Sequence, residues 1–238
     1  MKKLTLILSL VMIAGICISA PRKARRRLLL AGSGGFSPLS LNPLVWYKGD
    51  GDTVDASGND YTGTWRGSAS YTNGINGQAF NFGANRSAVL SGSAEFMNLT
   101  NGTVCFWFMP KWANTDGIDH FFFDAIGGSD KRFICYKHNN GKILIYTDSA
   151  QRGSYTQSIT AYEWIFVTII YGDNKLYINN SLAYDYPDGG LGLGADTLVI
   201  GDHKSISNLG LDSAMDDFMI FNTILTANEI TQVYEWRE

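Results

Sequence analysis

The sequence predicts an all-β fold in which antiparallel strands form a sandwich, and three features support this fold class. Aromatic residues make up 13% of the 238 residues, 26 residues are glycine, and only 17% are charged. This composition suits a turn-rich domain with an ample core. In addition, Gly, Asn and Asp separate a series of short runs that are rich in β-branched and aromatic residues.

The clearest runs lie in residues 164–186, which predict three antiparallel strands joined by two tight turns. Residues 164–171 are too short, and too rich in Ile, Val and Thr, to form a good helix. The turns at residues 172–174 and 179–180 contain Gly, Asp and Asn, which tolerate positive φ and let the chain reverse. Two close turns between β-rich runs indicate a meander.

Within this stretch, the residues WIFVTIIYGDNKLYINNSL resemble the central meander of the laminin-G-like and concanavalin A-like lectin domains. That family has a Trp at the start of one strand, a Gly-containing turn and a second turn that usually has Gly where Asn180 stands here. The resemblance implies a two-sheet antiparallel jelly-roll sandwich, which usually serves as a binding module.

Residues 1–20 predict a signal peptide or an N-terminal anchor. Lys2 and Lys3 precede an apolar run over residues 4–18, which has the length of a signal sequence and is short for a spanning helix. Five basic residues follow within residues 22–27, and positive charge there opposes translocation. We expect export, with an uncleaved anchor or a terminus used in assembly as the alternative, and no stable membrane span unless the apolar run remains uncleaved.

Residues 21–42 predict a linker that is first basic and then rich in Gly, Ser and Pro, and residues 43–238 predict one domain. The segment RRRLLLAGSGGFSPLSLNPLVW also resembles the lead-in of some bacteriophage structural proteins. Besides the meander, the domain predicts strands at residues 44–48, 88–90, 101–109, 121–126, 131–137, 143–147, 197–201 and 215–221.

Residues 226–234 predict a short C-terminal helix, with Thr226 as the N-cap and Glu229 completing a capping box. A strand, an Asn-containing turn and this helix together resemble the ending of the same family. The segments NGQAFNF and TLVIG resemble it as well, so the resemblance spans residues 44–236.

The charge is distributed unevenly. Residues 1–35 carry seven Lys and Arg and no acid, which leaves 12 basic and 22 acidic residues, a net charge of -10, in residues 36–238. An acidic body argues against nucleic acid as a partner, because phosphate binding needs a basic surface. It suits a cation or a neutral glycan better.

The sequence predicts no catalytic site. Glycan hydrolysis uses two carboxylates roughly 5 Å or 6.5–9.5 Å apart, which on one strand face means alternate positions. No Glu-x-Asp-x-Glu run exists, and Asp216 and Asp217 are adjacent, so they are expected to point to opposite faces. The three histidines lie in different predicted loops, without a Gly-x-Ser-x-Gly elbow.

One loop near the start of the domain predicts a structural Ca²⁺ site, because hard oxygen ligands with glycine spacers suit this ion. Its candidate ligands are Asp50, Asp52, Asp55 and Asn59. The resemblance adds Asp216 or Asp217, since lectin-like jelly rolls often bridge the opening loop and an Asp of the closing strand through Ca²⁺. The alternative is a solvated loop whose Asp and Asn side chains form Asx turns.

Glycan-binding modules use exposed Trp or Tyr rings as flat apolar platforms, with polar groups nearby that fix orientation. Residues in predicted loops are better candidates for such a rim than residues in strands. The candidates are Trp65, Arg66, Trp112, Tyr155 and His203. Arg132 and Lys204 add donors that are near them in sequence only.

Two cysteines, Cys105 and Cys135, lie in the predicted domain, and large aromatic residues flank each of them. This predicts two buried free thiols that act as small apolar residues. A disulfide between neighbouring strands is the alternative if the chain is exported.

Together these features predict non-catalytic recognition of a glycan or glycoconjugate on a surface, outside the cell. The alternative is a structural or decoration protein of a bacteriophage virion or cell envelope, in which the jelly roll packs against other subunits. The Arg-rich N-terminus and the apolar linker after it motivate this alternative.

Overall fold

The structure is a computed structural model that describes residues 35–238, except 86, 92–99, 128–131, 148–149, 186–194 and 207. Contacts divide the chain into Met1–Phe36 and a unit spanning Ser37–Glu238. The predicted signal or anchor and most of the predicted linker therefore lie outside the described residues. Within the described part of the chain, no helix is long and apolar enough to cross a membrane.

The described residues form fifteen strands, preceded by a short 3₁₀ helix (Pro38–Leu41) and followed by one α-helix, α1 (Ala227–Glu235). The strands are β1 (Val45–Tyr47), β2 (Thr64–Arg66), β3 (Tyr71–Asn73), β4 (Gln78–Asn81), β5 (Ala88–Leu90), β6 (Gly102–Pro110), β7 (His120–Gly127), β8 (Arg132–Lys137), β9 (Lys142–Thr147), β10 (Ala150–Thr156), β11 (Ile165–Tyr171), β12 (Lys175–Ile178), β13 (Ser181–Asp185), β14 (Ala195–Ile200) and β15 (Ser213–Phe221).

The strands build two antiparallel sheets. An eight-stranded sheet runs in the order β13-β12-β11-β6-β15-β4-β3, with β1 paired to β15, and a seven-stranded sheet runs β10-β9-β8-β7-β14-β5-β2. Alternate residues of both sheets meet in one core, where Phe106 of β6 lies 5.4 Å from Phe122 of β7 between ring centroids. This arrangement confirms the predicted all-β, two-sheet sandwich with a short C-terminal helix.

The central meander forms as predicted. β12 pairs with β11 on one side, with Val167 opposite Ile178, and with β13 on the other. Gly172 has φ 91 in the first turn, and Asn179 and Asn180 have φ 48 and 65 in the second. Asn is one of the few residues with a side chain that enters this left-handed region readily, so it can replace the usual glycine.

Helix α1 begins at the predicted capping box and covers part of the outer face of the eight-stranded sheet. Glu229 N donates to Thr226 Oγ1 at 3.3 Å, and Thr226 N donates to Glu229 Oε2 at 2.7 Å. Tyr234 stacks on Trp107 with 5.2 Å between centroids and lies 5.6 Å from Phe166. Because Trp107 and Phe166 alternate with core residues along their strands, they face away from the other sheet.

Four strands were not predicted, and three of them, β2, β3 and β10, lie at sheet edges, whereas β4 lies between β3 and β15. β2 and β10 end the seven-stranded sheet, and β3 ends the eight-stranded one. An edge strand pairs on one side only and tolerates polar side chains. Thr64–Arg66 and Tyr71–Asn73 each contain a β-branched and an aromatic residue, but three residues are too few to show an alternating strand pattern.

At one end of the sandwich, the carboxylate of Asp116, a residue at the surface, contacts two buried side chains, Lys137 and His120. Lys137 is 0% exposed, and its Nζ donates to Asp116 Oδ1 and to Ile118 O. His120 Nε2 lies 2.6 Å from Asp116 Oδ2 and its Nδ1 lies 3.1 Å from Gly210 O, so both ring nitrogens face acceptors. Burial alone would raise the pKa of Asp116, but the bonds from Lys137 and His120 hold it below its usual range.

The thiols of Cys105 and Cys135 are free and buried, as predicted. Cys105 lies in β6 and Cys135 in β8, which belong to different sheets, so the alternative of a disulfide between neighbouring strands is wrong. Burial raises the pKa of Cys105 to about 12 and raises that of Cys135 as well.

We expect both thiols to resist an aromatic disulfide reagent in the folded protein, because buried thiols with raised pKa form almost no thiolate. After unfolding without reductant, both should react fully. Peptide mapping by mass spectrometry checks this, and a linked Cys105–Cys135 peptide would contradict it.

Candidate functional site

Five charged or titratable side chains, which we call the polar cluster, meet at the seven-stranded sheet: Arg66, Asp124, Arg132, Asp202 and His203. Arg66 comes from β2, Asp124 from β7, Arg132 from β8, and the other two from the loop after β14. Their neighbours Trp65, Ala125 and Phe133 pack in or against the core. Strand alternation therefore places the cluster on the outer face of the sheet.

Two ion pairs form the base of the polar cluster. Arg66 Nη2 donates to Asp202 Oδ2 at 2.7 Å, and Arg132 Nη2 donates to Asp124 Oδ2 at 3.0 Å. Both carboxylates are 0% exposed, whereas the side chains of Arg66 and Arg132 are 22% and 30% exposed. The carboxylates thus lie beneath the guanidinium groups, which reach the surface.

The same side chains hold the loop after β14 by its backbone. Arg66 donates to Lys204 O at 2.9 Å and to His203 O at 2.8 Å. Asp124 Oδ2 accepts from Lys204 N at 3.0 Å, and Asp202 Oδ1 accepts from His203 N at 2.7 Å. Bonds at both the carbonyl and the amide groups fix the loop against the sheet.

The imidazole of His203 is neutral and has a defined tautomer. Its Nδ1 accepts from Ser205 N at 3.0 Å and from Ile206 N at 2.9 Å, so this nitrogen carries no proton. The proton of the neutral ring is therefore on Nε2. Burial, assisted by Arg132, lowers the pKa of His203 against the opposing effect of Asp124.

Some atoms of the polar cluster have no hydrogen-bond partner among the described residues. Burial raises the pKa of Asp202 although the His203 amide and Arg66 oppose it. Asp124 Oδ1, Arg66 Nε and Arg132 Nε are buried, and within the described residues they have no hydrogen-bond partner. Such groups normally bind water or a ligand.

A row of stacked rings, which we call the aromatic row, continues from the polar cluster across β7, β8 and β9: Phe121, Tyr136 and Tyr146. Phe121 and Tyr136 stack with 4.6 Å between centroids at 9°, and Tyr146 lies 5.9 Å from Tyr136. The edge of His203 meets Phe121 at 4.9 Å. The two tyrosines are half-buried, so part of each phenol ring is accessible.

The structure brings together two of the sequence-predicted ligand residues. Arg66 and His203 share the polar cluster, where Arg66 donates to the His203 carbonyl and to Asp202 beside it. Sequence reasoning missed Asp124 and Asp202, whose roles depend on which strands are neighbours.

The other three predicted ligand residues lie elsewhere. Trp65 packs inward, 5.4 Å from Phe82, and Tyr155 packs against the core from β10, so neither lies in a loop as expected. Trp112 does lie in a loop but is only 6% exposed, and its indole donates to Leu211 O at 2.7 Å. Its expected place on an exposed rim is wrong because the loop folds back over the core.

The predicted calcium ligands separate into two groups. In the opening loop, Asp55 is buried and accepts hydrogen bonds from Trp46 N, Ser57 N, Ser57 Oγ and Tyr61 N. Asp52 Oδ1 accepts from Val54 N at 3.0 Å. These carboxylates serve the loop backbone, in the manner of the Asx turns that formed the alternative.

Asn59 belongs to this first group as well, since its amide donates to Pro43 O and Leu44 O. Within the described residues, which include Asp50, Asp216 and Asp217, no three or more His, Cys, Asp or Glu side chains are arranged to hold a metal ion. Asp52, Asp55 and Asn59 thus have hydrogen-bond partners in and beside the loop, and calcium binding stays a prediction.

The second group is Asp216 and Asp217 on β15, with Asp50 nearby. The expectation that adjacent carboxylates face opposite ways is wrong here, because Asp217 has φ 52 and the pairing register with β6 shifts beyond Asp216. Such a bulge re-aims side chains. Asp216 Oδ2 accepts from Asn76 N at 3.0 Å, and Asp217 Oδ2 accepts from Asn76 Nδ2 at 2.6 Å.

This second group contains two buried carboxylates that repel each other. Burial, then repulsion by Asp217, raises the pKa of Asp216, and burial raises the pKa of Asp217. Asp216 Oδ1 is buried without a hydrogen-bond partner among the described residues. Asp50, whose Oδ1 accepts from Gln78 N at 2.7 Å, adds to the repulsion. A cation would offset the repulsion that the protein otherwise relieves by binding protons.

A family model described as the concanavalin A-like lectin/glucanases superfamily matches residues 82–231. Among solved structures, domain 4 of AbnA, an extracellular arabinanase of Geobacillus stearothermophilus in complex with arabinotriose, is similar. The TM-score is 0.66 at 16% identity, covering 81% of this chain and 98% of that one. No curated protein sequence matches.

Two clostridial binding proteins are similar in fold as well. Botulinum neurotoxin type C, which interacts with two ganglioside molecules, has a TM-score of 0.66 at 18% identity over 83% of this chain and 52% of that one. The binding domain of Paraclostridial Mosquitocidal Protein 1 has 0.66 at 16%, over 82% and 52%. The chain spans about half the length of these two.

Proposed function

The chain belongs to the concanavalin A-like lectin/glucanases superfamily, and on this premise we propose that it binds a glycan or glycoconjugate without transforming it. Similar folds occur in an arabinanase domain seen with arabinotriose and in a toxin that interacts with gangliosides. We also place the protein outside the cell, in keeping with its basic and apolar N-terminal residues.

The observation that carries this proposal is the aromatic row beside a rigid polar cluster. Sugar rings stack on flat aromatic side chains, and fixed polar groups orient their hydroxyls. The corresponding face of the eight-stranded sheet is covered at Trp107 and Phe166 by helix α1. The aromatic row therefore offers the better platform.

A binding role suits the two carboxylates of the polar cluster better than a catalytic one. Asp124 and Asp202 are both 0% exposed and both paired with arginine. Neither can approach a glycosidic bond as a nucleophile or an acid without first breaking its ion pair. We therefore assign them a supporting role, in which they hold Arg132 and Arg66.

We expect Tyr136→Ala and Tyr146→Ala to weaken glycan binding by about tenfold or more, because each removes a stacking surface. Affinity electrophoresis against a panel of polysaccharides, and binding to ganglioside-containing vesicles, measures this. Tyr177→Ala is the matched control, since Tyr177 is a half-buried tyrosine on the outer face of the eight-stranded sheet. Equal losses in all three variants, or none in the first two, would contradict the proposal.

We propose in addition that Ca²⁺ binds at Asp216 and Asp217, with Asp50 contributing charge. The ion would supply positive charge between the closing strand and the opening segment, and its role would be structural. The unpartnered Asp216 Oδ1 and the raised pKa of both carboxylates support this proposal.

A further inference from the structure

Two hydrogen-bond donors of the polar cluster face each other without an acceptor between them. Arg132 Nη2 lies 3.1 Å from His203 Nε2. Because His203 Nδ1 already accepts two backbone N–H groups, Nε2 carries the proton, and both atoms are donors. Asp124 Oδ2 is 3.8 Å from Nε2, which is too long for a hydrogen bond.

The two arginines of the polar cluster differ in how many of their terminal nitrogens form hydrogen bonds. The two terminal nitrogens of Arg66 donate to Asp202, to Lys204 O and to His203 O. Within the described residues, both polar contacts of Arg132 are made by Nη2, and its Nε has no partner. Its Nη1 is therefore available to a bound group.

The electrostatics of the polar cluster favour an anion. Its carboxylates, Asp124 and Asp202, are fully buried, whereas Arg66 and Arg132 are partly exposed and Lys204 lies beside them. Three cationic side chains thus accompany two buried carboxylates, in a domain whose overall charge is strongly negative.

Resting on the proposed function, we propose that the polar cluster binds an oxyanion substituent of the glycan, a carboxylate or a sulfate group, through Arg132 and the Nε2–H of His203. A planar guanidinium is well suited to such groups. The sugar ring that carries the oxyanion would stack on the aromatic row, since Phe121 contacts the edge of His203 and Tyr136 stacks on Phe121. The ligand class is then an acidic glycan.

The test follows the arginine Nε–H signals of the ¹⁵N-labelled full chain by NMR during titration with sodium glucuronate and, separately, sodium sulfate. Glucose and sodium chloride, the latter at matched ionic strength, are the neutral and ionic controls. We expect a saturable shift of the Arg132 signal with at least one oxyanion. A response to glucuronate alone identifies a carboxylate site, and a response to sulfate alone identifies a sulfate site.

Arg152 of β10 is the internal control, because its Nε donates to Thr147 Oγ1 at 3.1 Å, away from the polar cluster. Because the variants lack the Arg132 signal, binding to them is followed at the backbone amide signals of Ser205 and Ile206, which donate to His203 Nδ1. Arg132→Gln should abolish the saturable shift of these amides, and Arg132→Lys should weaken the affinity by about tenfold, because the point charge remains but the planar donors are lost. Equal shifts at Arg132 and Arg152, or a chloride response as large as that to both oxyanions, would mean adventitious ion binding only and would overturn the proposal.

These outcomes are separable from those of the proposed function. If Tyr146→Ala loses polysaccharide binding while the Arg132 signal shows no saturable shift with either oxyanion, the glycan is neutral and only the oxyanion site is refuted. If Arg132 binds an oxyanion but the tyrosine variants retain full polysaccharide affinity, the platform is refuted instead.

Discussion

Asp116→Ala is expected to lower the free energy of unfolding by about 3 kcal/mol, the low end of the range for removing one partner of a buried ion pair, because Lys137 is buried whereas the Asp116 side chain is 20% exposed. Lys137 is fully buried, and the Asp116 carboxylate is its charged partner. His120 is almost as buried and faces the second oxygen of the same carboxylate. Removing Asp116 therefore leaves the buried Lys137 without an anion and deprives His120 of an acceptor.

Urea denaturation followed by tryptophan fluorescence measures this loss. Asp212→Asn is the matched control, because Asp212 pairs with Lys111 at 3.5 Å, both side chains are about one-third exposed, and Asn tolerates the positive φ of 45 at this position. The control should cost about 0–1 kcal/mol. In a Lys137→Met background, Asp116→Ala should cost clearly less, since the buried cation is gone. Equal losses for Asp116→Ala and Asp212→Asn would contradict the prediction.

Asp216→Asn is expected to stabilise the calcium-free protein by about 2 kcal/mol or more above about pH 8. Burial and neighbouring carboxylates raise the pKa of Asp216 to about 8 and that of Asp217 to about 6. A raised pKa means that the folded state binds the proton more tightly than the unfolded state. The pair thus contributes stability below the ordinary aspartate range, and this contribution is lost as the pH rises through about 6 and about 8.

Melting curves of the wild type and Asp216→Asn, measured in chelator as the pH rises through about 6 and about 8, test whether stability falls with pH as predicted. The wild type should lose stability with rising pH more steeply than the variant. If both curves are parallel, the two carboxylates are not a strained pair.

The same variants test the calcium proposal. In millimolar Ca²⁺ the wild type should gain about 2.7 kcal/mol at a hundredfold excess over Kd, whereas Asp216→Asn and Asp217→Ala should gain little. Asp52→Ala is the control that should keep the gain, because Asp52 serves the loop backbone. An unchanged wild-type melting temperature would refute the calcium site and leave the pH prediction standing.

The parts of the fold that depend on local chemistry could be predicted from the sequence. The meander of β11, β12 and β13 depends on turn residues a few positions apart, and helix α1 depends on a capping box that spans four residues. Both are present. Short edge strands such as β2 could not be predicted, because three residues are too few to show an alternating pattern.

The polar cluster could not be predicted from the sequence, because a pattern of residue types does not show which distant residues become neighbours. Arg66 and His203 are 137 positions apart, and they meet only because β2, β5, β14 and β7 are neighbours in one sheet. The bulge at Asp217 could not be predicted from the sequence either, since one positive φ decides whether two adjacent carboxylates diverge or converge. Loop position likewise failed as a guide to exposure for Trp112, whose indole is held by a backbone carbonyl.

The position of β15 has a consequence for the way the chain is assembled. It is the last of the described strands in the chain, yet it lies between β6 and β4 and also pairs with β1. Before β15 is made, the two parts of the eight-stranded sheet have no hydrogen bonds to each other through their common centre. Because such distant pairings are slow to form, closure of this sheet is a late step in folding, and a chain cut short before β15 would leave the edges of β6 and β4 open to pairing with other chains.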